Sequence, residues 1–495
     1  MNRDWKMYAA KVAGLAGAYY GAAKLGLELA FETDSVSAVW PPTGIALAAL
    51  VLGGYRLWPG VALGAFLANS WTGIPLYAVL GITLGNTLEP LAGAWLLHRI
   101  AAFRPSLDRV RDIAALVVLA AVASTAISAS VGVGSLLVAG EVDGGDFPFV
   151  LRTWWLGDML GDVVVATALL VVATHWPFRQ APGRSLEAAL AGLLLVGVGT
   201  FAFSQTLGLT FLVFPPLIWA TLRFWQPGAV LGTLLLTGIA VTFTANDLGP
   251  FSGRPPDEQL LLTQVFVGAA GLTALLLAER ERLRHLFGRH VGRDVARAVL
   301  DGDVAADGEE REIAVLFIDV IGSTSLASER PPTQVVRLLN AFFSVVVRVV
   351  ETHGGHVNKF EGDAALCVFG APLSREHAAA DALAAGRELR ARLRDEVPKV
   401  SFGIGISAGR AVAGNIGGEG RFEYTVIGDP VNEAARLCEL AKAEPSRMLA
   451  SEATLERAAA PQDGGWRLGE SVALRGRRAS TRLATVDEPL LDVGR

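Results

Sequence analysis

Two kinds of hydrophobic pattern divide the chain near residue 278. Before that point, long apolar runs are separated by short polar connectors, and after residue 309 the apolar positions follow the shorter periods of strands and helices. A helix needs about 20 apolar residues to cross a bilayer. The runs therefore predict a polytopic α-helical membrane domain of ten spans, or of eight if the shortest runs are tilted, re-entrant or merged. They cover roughly residues 8–29, 43–54, 57–71, 74–97, 112–139, 147–175, 186–206, 209–222, 227–245 and 259–277.

Charge in the connectors predicts the orientation of these spans. Basic residues precede the first run and recur in every second connector, whereas the connectors between them are acidic or neutral. Because cytoplasmic loops carry the excess of Lys and Arg, both termini are expected in the cytoplasm, at the inner or plasma membrane. The first run contains Lys11, Lys24 and Glu28 and has no clear small-residue cleavage site, so we interpret it as a retained helix.

Polar side chains inside the runs are a second feature of this domain, because each costs a few kcal/mol or more in lipid. Asp158 and Asp162 are one helical turn apart and share a face. Two interpretations are open: these residues pair among themselves and hold the bundle together, or they line a ligand or ion pocket. The set comprises Asn69, Asn86, Glu89, Arg152, Asp158 and Asp162.

Residues 278–300 continue from the last run with apolar positions at helical spacing among charges. We interpret them as a short coupling helix, which could also be a linker packed on its own domain, and Gly288 and Gly292 weaken a single straight helix. The expected organisation is a membrane domain at 1–277, a linker at 278–308, a catalytic domain at 309–488 and a tail at 489–495.

After residue 309 the pattern becomes α/β. It predicts strands at "EIAVLFID", at the hairpin "HVNKFEGDAALCVFG", at "VSFGIGISAG" and at "RMLAS", with further strands near 466–474 and 481–486. Helices are predicted at about 332–352 and 374–394 and at "DPVNEAARLCELAKA". Two successive strand–helix–strand units favour a ferredoxin-like core with an added edge.

Candidate chemistry lies at the ends of these strands. Asp319 ends an apolar strand, and Gly322, Ser323 and Thr324 follow it with side chains small enough for backbone N–H groups to approach an anion. The predicted hairpin brings Asp363 to the start of a neighbouring strand. Two carboxylates beside an anion loop suit Mg²⁺ and phosphate oxygens.

Two further elements carry polar side chains with candidate chemistry. Lys359 lies in the hairpin of a chain whose lysines are confined to positions 6, 11, 24, 359, 399 and 442. Asn432 and Arg436 stand at i and i+4 on one helix face. Arg can hold a phosphoryl group that gains charge in the transition state, and Asn can hold a sugar oxygen.

Composition narrows the class of protein. The chain has 495 residues, 52% of them apolar, and a mean hydropathy of +0.42. It is therefore too hydrophobic for an ordinary soluble protein and too long for one domain. Its two cysteines exclude a disulfide scaffold and fit a reducing cytoplasm, and the net charge of −5 gives no reason to expect a nucleic-acid partner.

Two stretches of sequence resemble known families. Residues 35–71, "SVSAVWPPTGIALAALVLGGYRLWPGVALGAFLANSW", resemble the membrane-associated sensor domains of the MASE type, which implies a sensory role without naming the ligand. The segments "FIDVIGST", "NKFEGDAALCVFG", "GIGISAGRAVAGNIG" and "YTVIGDPVNEAARL" resemble the class III nucleotidyl cyclases over about residues 312–486. "GGEGRF" is not the glycine-glycine-acidic hairpin of a diguanylate cyclase.

The cyclase resemblance implies a role for each candidate residue. Asp319 and Asp363, with the backbone carbonyl of Val320, would hold two Mg²⁺ or Mn²⁺ ions in each site. Lys359 would select the base together with Thr425, a pair that suits adenine, whereas guanine-selecting members carry Glu and Cys there. The remaining implied residues are Asn432 and Arg436 for the transition state and either Arg475 or Arg477 for the triphosphate.

The expected protein is a membrane-anchored adenylyl cyclase that acts on ATP as a head-to-tail homodimer and is regulated by an unidentified ligand of its membrane domain. Metals would come from one protomer, and Asn432 and Arg436 from the other. Two alternatives stay open: a guanylyl cyclase, and a receptor or transporter whose cyclase-like domain is only regulatory. The acceptor of the proton from the attacking hydroxyl is also open among Asp319, solvent and substrate.

Overall fold

The structure, a computed structural model, forms two compact units, Met1–Leu283 and Arg284–Arg495. It describes residues 3–28, 38–176, 184–292, 295–296, 308–323, 328–418, 421–459, 465–477 and 479–486. The predicted C-terminal tail lies outside these residues.

The first unit is helical in its described part. Each predicted apolar run corresponds to helical chain, and the runs at 209–222 and 227–245 meet at a kink where Trp225 has φ 54°. The helices are α1 Arg3–Glu28, α2 Pro41–Gly53, α3 Trp58–Asn69, α4 Leu76–Arg99, α5 Val110–Ala139, α6 Phe147–His175, α7 Arg184–Ser204, α8 Leu209–Ala245 and α9 Pro256–Val291.

Helix length decides which of these elements can cross a bilayer alone. Helices α5, α6, α7, α8 and the Pro256–Glu281 part of α9 are long and apolar enough to do so. Helix α2 has 13 residues and α3 has 12. At 1.5 Å per residue they reach only about 20 Å, against a hydrocarbon core of about 30 Å. These two helices are therefore too short to be separate spans.

Small residues let the helices of this unit approach closely. A Cβ added at Gly44 of α2 would lie 2.2 Å from the carbonyl oxygen of Gly161 in α6, and one at Gly64 of α3 would lie 2.7 Å from the Tyr19 side chain of α1. Such contacts between glycine faces are typical of helices that pack in lipid, where dispersion replaces the hydrophobic effect as the driving force.

The second unit is a mixed sheet covered by helices. Its strands are β1 Glu309–Val320, β2 His356–Glu361, β3 Ala364–Phe369, β4 Phe402–Gly418, β5 Arg421–Ile427, β6 Met448–Ser451, β7 Trp466–Ala473 and β8 Ser480–Val486. Its helices are α10 Pro332–Thr352, α11 Ala378–Glu396, α12 Asp429–Ala441 and α13 Glu452–Arg457.

The strand order confirms the predicted α/β fold. The sheet runs β2-β3-β1-β4-β6-β8-β7, and β5 pairs with β4 outside this path. Within the run β2-β3-β1-β4, each pair of adjacent strands is antiparallel, and these four strands form the ferredoxin-like core. Strand β6 joins β4 in parallel and begins the added edge.

Helix α10 shows why apolarity alone does not define a membrane span. It also meets the length and apolarity criterion for a span. However, Phe342, Val345, Val346, Val349 and Val350 are buried in the core of the second unit at helical spacing. Helix α10 is therefore a core helix of this domain.

Three local features differ from the sequence prediction. Strand β4 extends to Gly418 and forms an antiparallel ribbon with β5, which was not predicted. The short helix α13 was also not predicted. Helix α9 continues through Gly288 and ends at Val291, beside Gly292 with φ 89°. Of the predicted coupling helix, residues 293–294 and 297–300 lie outside the described part of the chain.

Candidate active site

Asp319 and Asp363 meet at adjoining strand ends. Asp319 is the penultimate residue of β1 and pairs with Ala364, the first residue of β3. Asp363 directly precedes Ala364 in the sequence. It lies at the same strand end as Asp319 because Gly362, with φ 68°, turns the β2–β3 hairpin there. Val320 ends β1 opposite Phe402 of β4. The topology thus brings the predicted metal-binding residues together from two neighbouring strands.

Lys442, which the sequence analysis did not select, lies directly on this pair. Its Nζ donates to Oδ2 of Asp319 and to Oε2 of Glu439, each over 2.7 Å. Burial alone would lower the pKa of the Lys442 ammonium, but the two carboxylates raise it overall. Burial raises the pKa of Asp319, opposed by Lys442 and reinforced by the neighbouring Asp363 carboxyl.

The carboxylate oxygens of Asp319 and Asp363 fit a hard divalent cation whose remaining ligands are phosphate oxygens and waters. Oδ1 of Asp319 is buried and has no hydrogen-bond partner. Among the described residues no group of three or more His, Cys, Asp or Glu side chains could by itself hold a metal. Mg²⁺ is commonly bound by one or two carboxylates together with waters and substrate phosphates, so two aspartates are sufficient.

The predicted anion loop is only partly described. Gly322 is exposed and has φ 72°, a left-handed conformation that favours glycine. Ser323 is half-buried, and Thr324 lies outside the described residues.

Lys359 and Thr425 lie on strands that contact each other. Lys359 Nζ is 3.5 Å from Oε1 of Glu423 and 3.7 Å from Oε1 of Glu361. The Thr425 hydroxyl donates to Oδ1 of Asn358 over 3.1 Å, and Thr425 is 8% exposed. Strand β5 therefore faces the hairpin with both Glu423 and Thr425, and Glu423 is one of the two carboxylate partners of Lys359.

Asn432 and Arg436 stand on the exposed face of α12. The opposite face is buried through Ala434, Leu437 and Cys438. Helix α12 packs so closely on β4 that a Cβ at Gly405 would lie 2.1 Å from the Ala434 carbonyl oxygen. The predicted transition-state pair thus faces away from the sheet that carries the two aspartates.

The two arginines near the last strand have different surroundings. Arg477 donates from Nε to Oδ1 of Asp429 over 2.8 Å and also binds Glu433 and Thr481. Its side chain is only 12% exposed. Arg475 is exposed. Arg477 therefore ties the β7–β8 turn to α12, and Arg475 is better placed to meet a ligand.

The polar residues of the membrane domain show limited pairing. Glu89, Asp158 and Asp162 are each 1% exposed, and each has a buried carboxylate oxygen with no partner. Thr43 donates to Asp158 over 2.8 Å. Arg152 is exposed and lies over the Phe149 ring at 5.5 Å.

Two other predicted polar residues of this domain make only local or neighbouring contacts. Asn86 accepts from Ser128 over 2.8 Å, and Asn69 donates to Ala65 within its own helix. The six polar residues thus find most of their hydrogen bonds outside the predicted set.

Comparison with known families identifies the class of protein to which this fold and site belong. Residues 306–481 match the adenylate and guanylate cyclase catalytic domain, and residues 12–281 match MASE1. The chain belongs to the class III nucleotidyl cyclases that carry an N-terminal MASE1 sensor domain, as its sequence motifs predicted. It is therefore a multi-pass membrane protein with an α/β catalytic domain.

Individual relatives match parts of the chain. The uncharacterized protein Mb1354c of Mycobacterium bovis is 56% identical over 209 residues, which are 42% of this chain and 37% of that protein. The uncharacterized protein Rv1319c of Mycobacterium tuberculosis is 42% identical over 345 residues, 68% of this chain and 58% of that protein. The chain thus spans about two fifths to three fifths of these relatives.

Solved cyclase structures also match. The guanylyl cyclase Cya2 is 32% identical, with 36% of this chain and 93% of that chain covered and a TM-score of 0.33. The adenylyl cyclase CyaB from P. aeruginosa is 25% identical, with 38% and 98% covered and a TM-score of 0.34.

Proposed function

We propose that this chain is a membrane-anchored adenylyl cyclase that converts ATP into cyclic AMP and pyrophosphate. The observation that carries the proposal is the junction of β1 and β3, where Asp319 and Asp363 adjoin with a buried, unpartnered oxygen on Asp319. Two adjacent carboxylates repel each other, and the Lys442 ammonium contacts only Oδ2 of Asp319, so Oδ1 of Asp319, beside Asp363, would accept a metal ion. The complete set of candidate residues argues against the receptor or transporter alternative.

The base preference is proposed from Lys359 and Thr425. An ammonium and a hydroxyl can donate to the ring nitrogens of adenine, and a hydrogen-bonding site rejects a base that leaves its groups unpaired. Glu423, beside Lys359, would hold the ammonium in position. The alternative, a guanylyl cyclase, lacks the glutamate and cysteine expected at positions 359 and 425.

A homodimer with shared sites is proposed from the exposed face of α12. Asn432 and Arg436 face solvent in one protomer, and Thr425 precedes them by only a few residues on the adjoining strand. These residues would therefore act together on a nucleotide held by the aspartates of the partner. The β4–β5 ribbon supports a partner surface, because Phe422 is 65% exposed and Ile427 is 57% exposed.

In this site the ribose 3′-hydroxyl would attack the α-phosphorus in line, the bond from that phosphorus to the pyrophosphate oxygen would break, and the hydroxyl proton would pass to Asp319, solvent or the substrate. Two Mg²⁺ or Mn²⁺ ions held by Asp319, Asp363 and the Val320 carbonyl would lower the pKa of that hydroxyl and neutralise phosphate charge. Arg436 would stabilise the charge that develops on the phosphoryl group, and Asn432 would orient the ribose. The exposed Arg475 would contact the triphosphate, and the N–H groups of the loop from Gly322 to Thr324 would approach a phosphate.

Regulation is proposed to pass from a membrane domain at 1–277, through the linker at 278–308, to a catalytic domain at 309–488. Alternating connector charge supports a cytoplasmic position for both termini and the catalytic domain. The ligand sensed by the membrane domain is not identified by its residues.

Turnover of nucleotide by the purified full chain tests the proposal. We expect cyclic AMP from ATP with Mn²⁺, little cyclic GMP from GTP, and loss of at least about 100-fold in Asp363→Ala, because the metal would lose one of its two carboxylates. Arg394→Ala, at an exposed position on α11, is the matched control. A folded Asp363→Ala protein with near-normal turnover would contradict the metal assignment, and preferential use of GTP would favour the guanylyl alternative.

A further inference from the structure

The Lys442 side chain reaches Asp319 by lying over a glycine of strand β4. The residue follows the last turn of α12, and its side chain crosses β4 at Gly403, the residue that pairs with Asp319. A Cβ at Gly403 would lie 2.8 Å from Cγ of Lys442. The absence of a side chain at this one position lets the lysine lie across the strand.

The ammonium at the end of this side chain binds a carboxylate oxygen of Asp319, which is a proposed metal ligand. Lys442 Nζ lies 2.7 Å from Oδ2 of Asp319, and the two side chains are 22% and 20% exposed. Partial burial strengthens the ion pair relative to a surface pair, because solvent screens it less. A divalent cation that uses this oxygen has to displace the ammonium or share the oxygen with it.

Glu439 is a second carboxylate partner of the same ammonium. Its Oε2 is also 2.7 Å from Lys442 Nζ, and its side chain is 67% exposed. The lysine can therefore leave Asp319 and keep one carboxylate partner through a small rotation of its flexible side chain.

We propose that Lys442 is a built-in competitor of the divalent metal: its ammonium binds both Asp319 and Glu439 when metal is absent and keeps only Glu439 when metal binds. The inference rests on the proposed function, because it takes Asp319 and Asp363 as metal ligands. It gives Lys442 a positioning role that sets how much metal the site requires. It also explains how two adjoining carboxylates are tolerated before metal arrives.

Direct metal binding tests this role without turnover. The full chain, purified in detergent without nucleotide, is titrated with Mn²⁺, and free Mn²⁺ is followed by electron paramagnetic resonance. Lys442→Met keeps an unbranched side chain that is one atom shorter and removes its charge, so we expect the Kd for Mn²⁺ to fall by about three- to tenfold. Arg394→Met removes an exposed positive charge elsewhere and should leave the Kd within about twofold.

Amine labelling of the unmodified chain gives a second measurement. We expect Mn²⁺ to increase the labelling of Lys442, read by mass spectrometry, while labelling of the exposed Lys399 stays constant. An unchanged or higher Kd in Lys442→Met, or labelling of Lys442 that does not rise with Mn²⁺, overturns the inference. Mn²⁺ binding that survives Asp363→Asn would instead overturn the metal assignment of the proposed function.

Discussion

At Gly405, strand β4 packs very closely against α12, the helix that carries Asn432 and Arg436. A Cβ added there would lie 2.1 Å from the carbonyl oxygen of Ala434 and 2.2 Å from the backbone nitrogen of Cys438. Both neighbours are main-chain atoms that cannot rotate aside. Gly405→Ala therefore requires helix α12 to move by roughly 1 Å, at a cost of about 1–3 kcal/mol.

Two quantities should respond to Gly405→Ala. The melting temperature of the catalytic unit should fall by roughly 3–10 °C, measured as the loss of cyclase activity after graded heating. Turnover well below this temperature should fall by about 10- to 100-fold, because a displacement of 1 Å in positioning groups is enough to misalign them. The effect on turnover separates a shift of α12 from a general loss of stability.

Gly469→Ala is the matched control for this experiment. Gly469 also lies in a strand, β7, but an added Cβ would meet Leu483 at 3.7 Å, which is an ordinary contact. Its melting temperature and turnover should stay close to those of the unmodified chain. If Gly405→Ala behaves in the same way as Gly469→Ala, helix α12 does not pack on β4 as described.

Three further predictions concern the base, the dimer and the thiols. Lys359→Glu combined with Thr425→Cys should shift nucleotide preference from ATP toward GTP, measured as the ratio of kcat/KM values. Asp319→Ala and Arg436→Ala chains, each inactive alone, should recover up to about half the activity per heterodimer when co-expressed with two tags and purified through both. Both cysteines are buried, and burial raises the pKa of each thiol, so a disulfide reagent should label neither until the chain is unfolded.

A specific result would contradict each of these three predictions. An unchanged ATP to GTP ratio would mean that Lys359 and Thr425 do not read the base. Purified heterodimers without activity would mean that each site forms within one chain or that Arg436 has another role. Rapid labelling of a thiol in the native protein would contradict the burial of Cys367 or Cys438.

Periodic burial made the core elements predictable from sequence. Helix α10 was predicted at 332–352 and is found there, because its apolar residues repeat at helical spacing against one sheet. The β5 strand was not predicted, since residues 414–420 contain four glycines and the ribbon has exposed apolar positions on both strands. Within β5, Tyr424 and Val426 are buried whereas Phe422 and Ile427 are exposed, so apolar residues lie on both faces of the strand and give no clean alternation of polar and apolar positions.

Site residues that belong to local sequence motifs could be predicted. Residues that meet the site only through contacts between distant parts of the sequence could not. Asp319 and Asp363 follow from strand ends that the hairpin brings together. Lys442 meets Asp319 across 123 residues, so no spacing rule could connect them. Lysine is scarce in this chain, and this scarcity drew attention to Lys359. It applies equally to Lys442 and is the sequence feature that could have identified this residue.

The apolarity of α10 has a consequence for how the chain is made. Membrane insertion selects segments by apolarity while the chain is being synthesised, and α10 has the length and apolarity of a span. Its exposed face carries Arg337 and Arg348, one toward each end of the helix. An arginine costs about 2.5–3.5 kcal/mol at the centre of an inserting helix and less near its ends. Neither arginine lies in the core, although Arg348 pairs with Glu396 on the surface. We infer that the two charges oppose insertion of this segment into the bilayer. We expect replacement of both by leucine to send part of the synthesised chain into the membrane at this helix, which protease protection of membrane vesicles would reveal.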